Sequence, residues 1–142
     1  MKRSRLKRSP IKRRSKGVVS KLIIKMDAIW FKVLKKERGE FDEIDEHPAN
    51  GLGTFHILCK GNHPRLRYFW ENSLLVNWLP HHYNWHHYAH NDEQYKVVEK
   101  GIIKKRGKNY CNDLLILERS APKLDANRLR DLIDFYTAYL KT

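Results

Sequence analysis

Cysteine is almost absent. Cys59 and Cys111 are the only two in 142 residues, too few for a disulfide scaffold or a zinc site built from cysteine alone, so a reducing compartment is expected. No apolar run approaches the ~20 residues of a membrane-spanning helix, and the N-terminus has no apolar core of the signal-peptide kind. The expected setting is therefore cytoplasmic, with no membrane partner. No internal repeat is visible, which argues against a solenoid. Acid is the scarce charge: 16 Asp and Glu stand against 29 Lys and Arg, for a net charge of +13. The length suits one domain with a modest core.

The basic excess is concentrated at one end. Residues 1–16, MKRSRLKRSPIKRRSK, contain Lys2, Arg3, Arg5, Lys7, Arg8, Lys12, Arg13, Arg14 and Lys16 and no acid. So dense a block of like charge repels itself and is expected to be a disordered tail, followed by one domain over 17–142. These nine side chains are the candidate nucleic-acid contacts, because Lys and Arg gain affinity for a polyanion by displacing its counterions. A solubilising tail has the same composition, but a pI near 9.9 agrees with nucleic acid.

Beyond the tail, Val19, Leu22, Ile23, Met26, Ile29, Trp30, Val33 and Leu34 recur every three or four residues. This predicts a helix over 18–38 with one core-facing stripe and Gly39 as its stop. Residues 40–53 read as an acidic loop. TFHIL (54–58) reads as a strand, 59–65 as a loop, LRYFW (66–70) as extended, 71–73 as a turn and LLVNW (74–78) as a second strand. Pro80 suits a helix first turn. Further helices are expected at 92–105, capped by Asn91, near 109–119, and after Asp125, where Leu129, Leu132, Ile133, Tyr136 and Leu140 form a stripe. The expected class is α+β, with a small ββα unit flanked by an N-terminal helix and C-terminal helices.

What is plentiful, and locally so, is histidine. HHYNWHHYAH (81–90) holds His81, His82, His86, His87 and His90, five of the eight in the chain. On a helix His82, His86 and His90 share one face. They cannot all hold one ion, since His82 and His90 would lie roughly 12 Å apart along the axis and zinc–nitrogen bonds are about 2 Å long. Either the 82/86 or the 86/90 pair can clamp a metal, with His56 on the first strand the nearest further group. Histidines that donate to phosphate without any metal fit the spacing as well.

The stretch TFHILCKGNHPRLRYFWENSLLVNWLPHHYNWHH resembles the core of HNH, or ββα-metal, nucleases: a strand histidine, an Arg, an Asn, then a helix with two histidines four apart. The positions here are His56, Arg67, Asn72, His82 and His86, a register that selects the 82/86 pair. SKLIIKMDAIWFKVLKKERG before the core, and YKVVEKGIIKKRG and LRDLIDFYTAYLK after it, resemble the phage recombination nucleases of the NinG or Rap family. Two departures stand out. Those relatives carry two C-x-x-C pairs on a structural zinc; the matching places here are near Asp42, Asp45, Trp78 and His81, where Asp42, Asp45 and His81 could still hold an ion weakly, but packing around Trp78 and Trp85 is expected to replace it. The residue before the strand histidine, often an Asp or His on the catalytic metal, is Phe55.

The resemblance implies hydrolysis of phosphodiester bonds in DNA, branched recombination intermediates included, in phage-type recombination or DNA processing in a host cytoplasm. His56 would be the general base. His82 and His86 would hold a divalent ion, Mg, Mn or Zn. Asn72 would orient His56 or the hairpin turn, and Arg67 would contact phosphate or brace that turn. The alternative is a catalytically inactive DNA- or RNA-binding protein on the same scaffold, which Phe55 and the missing cysteines favour. Cys59 has no third group to orient it as a nucleophile and reads as a small buried side chain.

Overall fold

A computed structural model describes residues 10–87 and 92–142, and leaves the side chains of 10–16, Pro80, Asn84 and His87 outside the description. The architecture is α+β: one two-stranded antiparallel sheet between helices. The first helix, α1 (Pro10–Arg38), begins eight residues before the expected start at 18. Proline suits that place because the missing N–H belongs to a first turn that has no partner for it. Residues 10–16, assigned by composition to a disordered tail, are thus helical in backbone; Lys2, Arg3, Arg5, Lys7 and Arg8 lie outside the described residues. The stripe is as expected: Met26, Trp30, Val33 and Leu34 are buried. Gly39 ends the helix at φ +84°, its N–H donating to the Lys35 carbonyl.

The strands β1 (Leu52–His56) and β2 (Ser73–Asn77) pair in a register that sets Phe55 opposite Leu74 and His56 opposite Ser73. Cross-strand partners share a face. Leu74 and Val76 belong to one core cluster with Phe55, Ile57, Val98, Ile102 and Leu114, while Leu75 belongs to a second with Met26, Trp30, Val33, Tyr68, Leu129 and Ile133. The sheet is a partition between two helical layers, which is why all of β2 is buried and its middle, Leu74 to Val76, reads as a continuous apolar run.

The segment 66–70 is not extended. Short 3-10 turns at Pro64–Leu66 and Trp70–Asn72 carry it. Leu66 and Tyr68 are both buried, but in different clusters. An alternating burial that looks like a strand is therefore met by tight turns.

After β2, Trp78–His82 is kinked, with Leu79 at φ −110°, ψ 136°, and the regular helix α2 (Tyr83–His87) starts only at Tyr83. Next come α3 (Glu93–Arg106), α4 (Tyr110–Ser120) and α5 (Ala126–Leu140). The α3 cap is Asp92, whose carboxylate accepts the Gln94 N–H at 2.9 Å; Asn91, the expected cap, lies outside the described residues. Asp125 caps α5 as expected, accepting from the Arg128 N–H at 2.8 Å. Among the described residues, no helix is long and apolar enough to cross a membrane.

The acidic stretch 40–51 is more than a connector. An isolated bridge joins Phe41 to Pro48, and Asp42 and Glu43 are buried. Glu43 exchanges bonds with Leu75: its backbone N–H donates to the Leu75 carbonyl and its carboxylate accepts the Leu75 N–H. Asp42 Oδ2 accepts the Asn77 N–H at 2.7 Å. The carboxylates satisfy the outer edge of β2, which would otherwise present unpaired donors.

Candidate functional site

Consecutive strand residues point to opposite faces, so Phe55 and His56 look into different layers. His56 ends β1 on the face shared with Ser73, whose hydroxyl accepts from the Trp30 indole of α1 at 3.0 Å. Its Nε2 lies 2.9 Å from the Arg67 carbonyl. A carbonyl only accepts, so Nε2 is the protonated nitrogen and the neutral ring keeps its acceptor lone pair on Nδ1. Burial holds the His56 pKa down at about 4; the Arg67 and Lys60 charges press the same way, and the Arg67 carbonyl and Asp27 only partly oppose them.

The loop that carries this carbonyl is tied by Asn72. The Leu58 N–H donates to Asn72 Oδ1 at 2.8 Å, and Asn72 Nδ2 donates to the Leu58 and Leu66 carbonyls at 3.2 and 3.3 Å. Asn72 is fully buried, and its amide does for the loop what backbone pairing does for a strand. Arg67 braces the same loop against α1. Its Nε and Nη2 reach the two oxygens of Asp27 at 2.9 and 2.6 Å, and the Tyr68 hydroxyl donates to Asp27 at 2.8 Å. Although burial works against its charge, these bonds and the Arg67 charge hold the Asp27 carboxyl below the usual range.

His82 and His86 occupy the other face. Their ring centroids are 4.9 Å apart, as four-residue helical spacing predicts, although His82 sits in the kinked turn just before α2. The strand side chain packed on them is Phe55, 5.7 Å from each ring. Trp78, half exposed, stacks on His82 at 4.5 Å, and Trp85 stacks on Tyr95 at 4.4 Å while its Nε1 donates to the Ile57 carbonyl. The strand side of the two imidazoles is thus filled by an apolar ring. His90 lies outside the described residues, as does the His87 side chain.

His81 is separate from that pair. It is buried, with Nδ1 2.7 Å from Asp42 Oδ2 and Nε2 3.3 Å from Asp45 Oδ2. Burial disfavours its proton, but the Asp42 hydrogen bond and the Asp42 and Asp45 charges prevail and raise its pKa. One ligand atom from each of Asp42, Asp45 and His81 falls within 4.8 Å of the others, a group that could hold a metal ion.

His56, Asn72 and Arg67 are thus assembled around one loop, and His82 and His86 beside one another across the sheet. Sequence reasoning missed Asp27, the acid beside the apolar stripe of α1, whose partner Arg67 is 40 residues away; and Cys59, expected to be buried, is exposed in the loop after β1. Neither a known protein family, nor a curated protein, nor a solved structure matches this chain.

Proposed function

We propose that the chain is a metal-dependent DNA endonuclease of HNH type, used in phage-type recombination or DNA processing. The observation that carries this reading is His56: a strand-end imidazole, neutral at pH 7, with one nitrogen committed to a backbone carbonyl and its lone pair on the other. That is the form a general base needs to take a proton from an attacking water. Asn72 and Arg67 serve as positioning residues, holding the loop whose carbonyl fixes the imidazole. His82 and His86, on adjacent turns, fit a divalent ion (Mg, Mn or Zn) through two nitrogens. Such an ion supplies charge stabilisation at the phosphate. Lys60, whose charge bears on both His56 and Asp27, and the basic N-terminal residues draw in the polyanion.

A second reading rests on Phe55. Its ring packs on both helical histidines, while His56 looks into the opposite layer of the sheet, as in a nucleic-acid-binding protein that keeps the scaffold without the chemistry. Plasmid cleavage with and without EDTA separates the two. For the nuclease, wild type cuts only with divalent ion. His82→Ala and His86→Ala lose cleavage together with one equivalent of metal, and His56→Ala loses cleavage by a factor of about 100 or more while keeping that metal. A wild type that binds DNA but cuts none with Mg, Mn or Zn establishes the second reading.

A further inference from the structure

The loop that leaves β1 and the helices packed behind it border a cavity that the proposed chemistry leaves unused. Its volume is about 500 Å³, within the roughly 300–1,000 Å³ of small-molecule sites. Trp85 of α2, Tyr95 of α3 and Tyr110 of α4 give it an aromatic lining, and Asn62 of the loop and Glu99 of α3 add polar groups. Both cysteines of the chain, Cys59 and Cys111, also line it, and both are exposed.

The lining suits a flat guest with a hydrogen-bonding edge. Trp85 and Tyr95 lie parallel, their centroids 4.4 Å and their planes 9° apart, so they form one aromatic unit. The Trp85 N–H is committed to the Ile57 carbonyl at 3.2 Å, which leaves the indole only its ring to offer. Burial is the first cause that pushes the Tyr95 and Tyr110 phenols up to about 12, so both keep their protons. Tyr110 is hydrogen-bonded to Glu99, and a carboxylate that accepts one O–H has lone pairs left for further N–H donors. Asn62, exposed in the loop, brings an amide donor and an acceptor. A nucleobase has the matching parts, a π-face and an edge of donors and acceptors.

The position suits one as well. Trp85 and His86 are consecutive, and the Phe55 ring lies 5.9 Å from Trp85 and 5.7 Å from His86. On the loop side the lining begins at Ile57, the residue after His56. The cavity therefore adjoins the chain segments that carry the candidate site, in a protein of net charge +13.

We propose that this cavity receives one unpaired nucleobase of bound DNA, against the Trp85–Tyr95 unit and with its edge bonded to Glu99 and Asn62. Basic side chains attract any phosphate backbone; the cavity adds a preference for DNA that already holds a base out of the helix, because extrusion from intact duplex costs stacking and pairing. The inference rests on the proposed DNA reading and concerns binding alone.

The test is anisotropy with full-length protein in EDTA, so that no strand is cut. Three probes share one sequence: an intact duplex, the same duplex with one extrahelical guanine, and the same with an extrahelical abasic residue in its place. The guanine duplex should bind about 10-fold or more tighter than the other two. Alkylation of Cys59 and Cys111 with N-ethylmaleimide places adducts in the cavity and should remove that advantage. Conversely, saturating guanine duplex should slow alkylation of both thiols, read by mass spectrometry, about 5-fold or more relative to saturating intact duplex. Glu99→Gln keeps the shape, loses an acceptor and should cut the advantage about 3-fold or more at an unchanged melting temperature. Equal affinity for the three probes overturns the proposal, as does an advantage that the abasic duplex shares or that survives alkylation. A protein that binds none of the probes overturns the DNA reading itself, and this inference with it.

Discussion

The surroundings of His56 alter its chemistry strongly. Burial comes first among the causes that bring its pKa to about 4, from an ordinary value near 6.5. The folded state therefore resists a proton that the unfolded chain accepts between those values. Stability linked to His56 is fully present above pH 6.5 and is lost as pH falls toward 4, by at most about 3 kcal/mol. Urea melts of wild type and His56→Gln at pH 7 and pH 4.5 measure it: the wild type should lose more stability than the variant, and equal losses would show a solvated imidazole. The same shift sets the acid limb of cleavage below about pH 5, whereas an unperturbed imidazole would put it near 6.5. Asn72 makes the complementary case. Asn72→Ala strands the Leu58 N–H and two carbonyls in a buried loop, and should cost about 2–4 kcal/mol in urea denaturation. It should lower cleavage as well, because the Arg67 carbonyl loses its support.

The packing of hairpin against helix decides what the histidine pair can do. Phe55 presents its ring to both His82 and His86 from β1, so Phe55→His would place an imidazole on the strand side of the metal position proposed for that pair. The expected result is a three-nitrogen site, with Zn²⁺ held at that position about 10- to 100-fold more tightly than by the parent. Removing a fully buried phenyl also lowers stability, by about 2–4 kcal/mol. Unchanged affinity in a folded variant would show that the pair does not converge on one ion. At this scale the chain is unevenly legible. The stripes of α1 and α5 could be read because each is a local period of three and four, and the hairpin because β-branched and apolar residues cluster between turn signals. The spacing of His82 and His86 is likewise local. Residues 66–70 misled because Leu66 and Tyr68 alternate like a strand yet serve two cores through tight turns. The stretch after Gly39 read only as an acidic loop because nothing local reveals that Asp42 and Glu43 bond to Asn77 and Leu75, more than 30 residues on. The Asp27–Arg67 pair was hidden for the same reason.

Charge organises the molecule as a whole. Nine of the 29 basic residues lie in the first sixteen, five before Pro10 and four in the opening turns of α1. A 29-residue helix is about 43 Å long. Its packed part is held by Met26, Trp30, Val33 and Leu34 against α5 and β2, so the basic opening turns lie on the far side of that anchor from Gly39. Such an arm can follow a phosphate backbone while the domain stays fixed by its core. If all nine side chains met phosphates, they would contribute about −8 to the slope of log affinity against log salt. Deleting residues 2–9 should flatten the slope by up to about 4–5, and deleting 2–16 by up to about 8. Both truncated proteins should keep the wild-type melting temperature to within a few degrees, because the buried stripe begins beyond them. Duplex binding followed by anisotropy across a salt series makes the measurement. Equal slopes in the two deletions would confine contact to the residues before Pro10. A slope unchanged from wild type in both would show that nucleic acid is gripped elsewhere, and would leave this end of the chain without the role its charge suggests.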